Sequence, residues 1–161
     1  MSRVTPLTMA TVSRRRGTTA PKWHRASDLN LSELHIAEAP PIGIVTTRDS
    51  DKVAGRFFPR VTCIAGYQGP IILIYRHDDD AVTRATAVHE LCHFTSYCEE
   101  CGHVPQNRST AARCRYKGEH DAEFYQRLEP MYRAAGVPTY AARAVEGTYD
   151  YPEHWKESEW P

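Results

Sequence analysis

The sequence predicts an α+β fold in which a small, mostly antiparallel sheet packs on two helices. Short apolar runs between turn residues indicate strands, and apolar positions at three-and-four spacing indicate helices. The predicted strands cover residues 42–46, 55–64 and 71–75. The predicted helices cover residues 81–97 and 121–135, with shorter helical segments at 27–37 and 140–145. No internal repeat appears along the 161 residues, so we expect one domain.

Charge is unevenly distributed, although the formal net charge is zero. Residues 1–27 contain six Lys and Arg and no acid, whereas residues 146–161 contain five acids, one Lys and several aromatic residues. We therefore predict a basic flexible arm over 1–27, a folded domain over 28–145 and an acidic aromatic tail over 146–161. The arm could bind nucleic acid or an acidic partner, act as a transit peptide, or be simply solvated.

The sequence contains no apolar run long enough to span a membrane, and no apolar segment of a secretory signal follows the N-terminus. Both features argue against a membrane partner. We therefore expect a cytoplasmic protein.

The most informative motif is H-E-x-x-H, formed by His89, Glu90 and His93 within the longer predicted helix. Helical positions i and i+4 share one face, so both imidazoles can bind one zinc ion. Glu90 lies one residue further round, near enough to accept a proton from water activated by that zinc. A purely structural zinc site would favour four ligands with more thiolate, and chance alignment of two histidines is the other alternative.

A catalytic zinc needs a third protein ligand and an open fourth position. His120 is the favoured candidate, because it stands at the start of the second predicted helix. Glu119 and Glu123 are the competing candidates, since a carboxylate can also bind zinc.

The motifs together resemble the SprT-like metallopeptidases, which include Spartan and the related WLM peptidases. The similarity covers about residues 42–135 and depends on a V-A-G-R-F segment at 53–57, the strand at 71–75, HELCH at 89–93 and H-x-x-E-F at 120–124. The resemblance implies a single zincin-like domain and a zinc-dependent hydrolase of peptide bonds, associated with DNA in that family.

Carried over by position, the resemblance implies that His89, His93 and His120 bind zinc and that Glu90 is the general base. It does not identify a further residue that stabilises the oxyanion. The candidates are Tyr140, Tyr149, His103 and Arg143.

Three cysteines and one histidine between the predicted helices could form a second, structural zinc site. These residues are Cys98, Cys101, His103 and Cys114. A disulfide among the cysteines and three unpaired thiols are the alternatives. Cys63 and Cys92 fit better as small buried residues than as ligands.

Four cations precede His120 and could contact DNA phosphates, or form an ordinary solvated loop. They are Arg108, Arg113, Arg115 and Lys117. Three functions are thus consistent with the sequence: a zinc metallopeptidase, a zinc-stabilised adaptor that binds nucleic acid or protein without turnover, and a metal hydrolase of non-peptide amides.

Overall fold

The sheet has four strands in the order β1-β2-β4-β3, in a computed structural model that describes residues 20–46, 55–59, 69–101 and 116–147. The strands are β1 (Lys22–His24), β2 (Ile42–Val45), β3 (Gly55–Phe58) and β4 (Ile71–Tyr75). β1 pairs antiparallel with β2, and β3 pairs antiparallel with β4, while β2 and β4 are parallel. The α+β class is confirmed, and two of the three strand pairings are antiparallel.

The strands at 42–45 and 71–75 lie where the sequence predicts them. The predicted strand at 55–64 begins at Gly55 as expected, but its ordered pairing ends at Phe58, and residues beyond 59 lie outside the described part. Ile42, Ile72 and Ile74 are almost completely buried, as expected for apolar strands under a helix.

The boundary predicted for the N-terminal arm, at residue 27, lies beyond the start of the folded domain. Lys22–His24, which the prediction placed in the arm, form β1 on the edge of the sheet. The predicted helix at 27–37 is also wrong in type, because two short 3-10 helices, Ala26–Leu29 and Ser32–Leu34, occupy that stretch. Both end at residues with positive φ, Asn30 and His35, which stops an α-helix from continuing.

Helix α1 (Asp80–Cys101) is the central element of the domain. Asp79 caps its first turn, since its Oδ1 accepts a hydrogen bond of 2.7 Å from the Ala81 N–H. One side of α1 packs against β3 and β4, and the other against the two later helices. Because it is covered on both sides, most of its residues from Val82 to Tyr97 are buried.

Helices α2 (Ala122–Ala134) and α3 (Thr139–Glu146) complete the layer behind α1. Asp121 caps α2 by accepting a 2.9 Å hydrogen bond from the Phe124 N–H, and the helix buries Phe124 and Leu128 as its spacing predicts. Helix α3 extends one residue beyond the predicted segment at each end. Its last residue, Glu146, is fully buried, which corrects the prediction that the tail begins there.

None of the helices in the described ranges is long and apolar enough to cross a membrane.

Candidate metal centre

Three imidazoles meet between α1 and the residues that precede α2. The Nε2 atom of His120 lies 3.0 Å from Nε2 of His89 and 2.9 Å from Nε2 of His93. The three rings thus form a group whose ligand atoms could hold one metal ion. His89 and His93 are buried, and His120 is half-buried.

This donor set fits a zinc ion. Tetrahedral coordination with ordinary zinc–nitrogen bonds separates neighbouring nitrogens by ~3.3 Å, close to the distances found between the Nε2 atoms. A hydrogen at Nε2 of His120 could serve only one of its two neighbours well, whereas one cation would satisfy all three lone pairs. Three imidazoles are also a common ligand set for zinc, although other divalent ions accept nitrogen ligands.

His89 is oriented by a buried carboxylate. Its Nδ1 lies 2.7 Å from Glu146 Oε1, and the side chains of both residues are at most 1% exposed. The Tyr132 hydroxyl donates a second hydrogen bond, of 2.5 Å, to the same oxygen. An Nδ1–H that donates to Glu146 leaves the Nε2 lone pair of His89 available to a metal.

His93 is oriented by a tyrosine. Its Nδ1 lies 2.6 Å from the Tyr116 hydroxyl, and Tyr116 is only half-buried. Burial, together with the nearby His89 and His120, lowers the pKa of His93 to about 2. The ring is therefore neutral, which is the form that binds metal.

His120 enters the site from a segment without regular secondary structure just before α2. The Asp121 cap fixes the start of the helix, and the His120 ring packs 4.9 Å from that of Phe124. Burial is the main cause that lowers the pKa of His120, so this ring also favours the neutral form.

Glu90 lies beside this group, in the narrow space between α1 and β3. It is 3% exposed, and burial raises its pKa to about 7, against a backbone hydrogen bond from Phe57 that lowers it. A Cβ atom on Gly55 would lie 2.8 Å from both Cγ and Oε1 of Glu90. Glycine at position 55 therefore gives the Glu90 side chain the room it occupies.

The two competing third ligands are not part of the group. Glu119 is 65% exposed and pairs with Lys117, whereas Glu123 is 81% exposed and pairs with Arg127. Tyr140, a candidate for oxyanion stabilisation, instead donates a hydrogen bond to Asp79 at the start of α1. Arg143 is exposed, and Tyr149 and His103 lie outside the described residues.

The predicted cysteine site is not formed with the ligands expected. Cys101 is disulfide-bonded, and a disulfide sulfur is not a thiolate ligand. Cys98 is a free, half-buried thiol, and Cys92 is buried in α1 as predicted. His103 and Cys114 lie outside the described residues, as do Arg108, Arg113 and Arg115 of the predicted DNA-binding loop.

Sequence reasoning missed three residues that hold the imidazoles in place: Glu146, Tyr132 and Tyr116. Only Glu146 carries a usable signal. It follows Ala142 by four residues on the apolar face of α3, and a carboxylate on an apolar face is unusual unless it has a buried partner. The other two are aromatic residues whose hydroxyls matter only because of long-range packing.

The chain matches no protein-family model, and no curated protein or solved structure matches it either.

Proposed function

We propose that this protein is a zinc-dependent metallopeptidase. The observation that carries the proposal is the convergence of three histidine Nε2 atoms next to the buried carboxylate of Glu90. Three protein ligands with a fourth position left for water or substrate are the ligand number of a catalytic rather than a structural zinc. The H-E-x-x-H spacing and the resemblance to SprT-like peptidases support the same class.

His89, His93 and His120 would hold the ion, which supplies a Lewis acid that acidifies water and polarises a carbonyl group. Glu90 would accept the proton of the attacking water at its carboxylate and then transfer it to the leaving amine. Burial raises the pKa of Glu90 above its ordinary value, which makes the carboxylate a stronger base for the first of these transfers.

The position of β3 favours a peptide as the substrate. Within the described ranges β3 pairs only with β4, so its other edge is not paired with a strand there. That edge lies beside Glu90, because the Phe57 backbone bonds to the Glu90 carboxylate. An extended peptide that added to this edge through main-chain hydrogen bonds would carry its carbonyl groups past the carboxylate.

The test is to measure zinc content and casein cleavage for the wild type and Glu90→Gln. We expect one zinc in both proteins and a turnover at least ~10²-fold lower in the variant, as for loss of a general base. Glu129→Gln is the matched control, since Glu129 pairs with Arg133 away from the imidazoles and should leave cleavage unchanged.

Two results would point elsewhere. Full zinc occupancy without cleavage of casein, a DNA-crosslinked protein or a muropeptide would favour the adaptor function. Cleavage of the muropeptide alone would favour a hydrolase of non-peptide amides.

Stimulation of cleavage by single-stranded DNA would support the DNA association implied by the SprT-like resemblance. Of the four cations predicted to contact DNA, Lys117 is the one that lies within the described residues, and it is 77% exposed. A cytoplasmic location remains a prediction.

A further inference from the structure

Glu146 is a carboxylate in an unusual place. Its side chain is 0% exposed, at the end of α3, and the same helix buries Ala141, Ala142 and Val145. Removing a carboxylate from water is costly unless hydrogen bonds or an opposite charge compensate it. The surroundings of Glu146 should therefore include a source of compensation.

Only one oxygen of Glu146 has partners among the described residues. Oε1 is shared by His89 Nδ1 and the Tyr132 hydroxyl, whereas Oε2 is buried without a hydrogen bond there. Burial, and then Glu146 itself, raises the pKa of Tyr132 well above its ordinary value, so the hydroxyl remains a donor. Two hydrogen bonds to one oxygen hold the carboxylate in a fixed orientation.

The His89 ring links this carboxylate to the imidazole group. Nδ1 points to Glu146, and Nε2 on the other side of the ring points to His120. A cation at Nε2 would polarise the ring and strengthen the Nδ1–H hydrogen bond to Glu146. A bound metal ion would thus add to the compensation of the buried carboxylate, acting through one imidazole.

We propose that Glu146, oriented by Tyr132, is the positioning residue of the metal centre and that zinc affinity depends on it. This inference rests on the metal site of the proposed function, but not on the substrate. It makes α3 part of the metal centre, although this helix contributes no ligand. The pair fixes the tautomer and the direction of His89 and places a negative charge behind it.

The test measures zinc affinity by competition with a chromophoric chelator, for the wild type, Glu146→Gln and Tyr132→Phe. We expect zinc affinity to fall ~10- to 100-fold in Glu146→Gln, the range for loss of such an outer partner, and less in Tyr132→Phe. Glu129→Gln and Tyr140→Phe are the matched controls. Each makes the same chemical change as one of the test variants, but in a hydrogen bond that lies away from the imidazoles. Both should bind zinc like the wild type.

A second readout separates positioning from a merely structural role. Nitrogen-15 NMR of the metal-free protein reports the His89 tautomer, which should be Nδ1–H in the wild type and mixed in Glu146→Ala. Lower thermal stability with unchanged affinity and tautomer would mean that Glu146 only stabilises the fold. If the Glu146 variants do not fold, the zinc affinity of Tyr132→Phe tests the positioning role, and an affinity equal to that of the wild type would overturn it.

The outcomes for this inference and for the peptidase differ. Weaker zinc binding in Glu146→Gln supports the positioning role even if the wild type cleaves no peptide, a result that would overturn only the peptidase. Equal affinity in the wild type, Glu146→Gln and Tyr132→Phe overturns the positioning role and leaves the peptidase intact. A wild type that binds no zinc overturns both.

Discussion

The two histidines of the H-E-x-x-H motif are held in different ways. His89 bonds through Nδ1 to the fully buried carboxylate of Glu146, which belongs to a regular helix. His93 bonds through Nδ1 to the hydroxyl of Tyr116, a partly exposed residue in a segment without regular secondary structure. One histidine thus has a fully buried carboxylate as its partner, and the other has a half-buried hydroxyl.

For the proposed zinc site, the difference predicts that His89 and His93 contribute differently to metal affinity. A charged acceptor forms stronger hydrogen bonds than a neutral one, and more so away from water. Loss of the hydrogen bond between His89 and Glu146 should therefore weaken zinc binding more than loss of the one between His93 and Tyr116. The following predictions test this asymmetry through zinc affinity.

We expect the largest effect from His120→Ala, which removes the ligand common to both sides. Zinc affinity should fall by more than the ~100-fold seen at most for outer partners. Glu119→Gln and Glu123→Gln should bind zinc normally, since both side chains are largely exposed. Chelator competition on the three variants decides the third ligand, and normal affinity in His120→Ala would remove His120 from the set.

The asymmetry itself predicts that Tyr116→Phe weakens zinc binding less than Glu146→Gln does. The tyrosine variant should lose ~10-fold or less, the lower end of the range for outer partners. A double variant should show additive losses if the two sides act independently. Equal losses in the two single variants would contradict the difference between the two sides.

Gly55→Ala should spare zinc affinity but reduce turnover. The new methyl group would meet the Glu90 side chain at 2.8 Å, so the carboxylate must move away from its place beside the imidazoles. Overpacking of this kind also destabilises the fold by ~1–3 kcal/mol.

Gly136→Ala is the control for that loss of stability. It is strained by a φ of +62° but has no neighbour within 4 Å of the added Cβ. Measuring peptide hydrolysis and zinc affinity for both variants separates the displacement of Glu90 from the loss of stability. Equal turnover in Gly55→Ala and Gly136→Ala would mean that the position of Glu90 is unimportant.

The smallest effect is expected from Tyr140→Phe, which should change stability slightly and leave zinc affinity unchanged. Backbone hydrogen bonding from Ala81, then the Tyr140 hydroxyl, lowers the pKa of Asp79. A lowered carboxyl pKa stabilises the folded state above the unfolded pKa, near 3.8, and this contribution disappears as pH falls through the folded pKa. The wild type should thus melt above Tyr140→Phe at neutral pH and converge with it in acid.

The elements with strong local patterns could be predicted from the sequence. Helix α1, strand β4 and the pairing of His120 with the H-E-x-x-H motif follow from apolar spacing, caps and ligand chemistry. The three-residue strand β1 could not be predicted, because its pairing with β2 rather than its own pattern defines it.

The residues that orient the ligands could not be predicted either. Glu146 follows His89 by 57 residues and Tyr116 follows His93 by 23. Such contacts are determined by how helices pack, and a single sequence contains no periodic signal for them. The acidic composition after residue 145 also indicated a separate tail, whereas the first of those acids, Glu146, is fully buried in the domain.

Helix α2 contacts the proposed metal centre near both of its ends. His120 stands immediately before its cap, and Tyr132 lies in its last turn against Glu146. One bound ion would therefore restrain the whole helix against sliding along α1, rather than only the turn next to the ligand. Amide hydrogen exchange should slow along the full length of α2 when zinc binds, so this helix would report whether the site is filled.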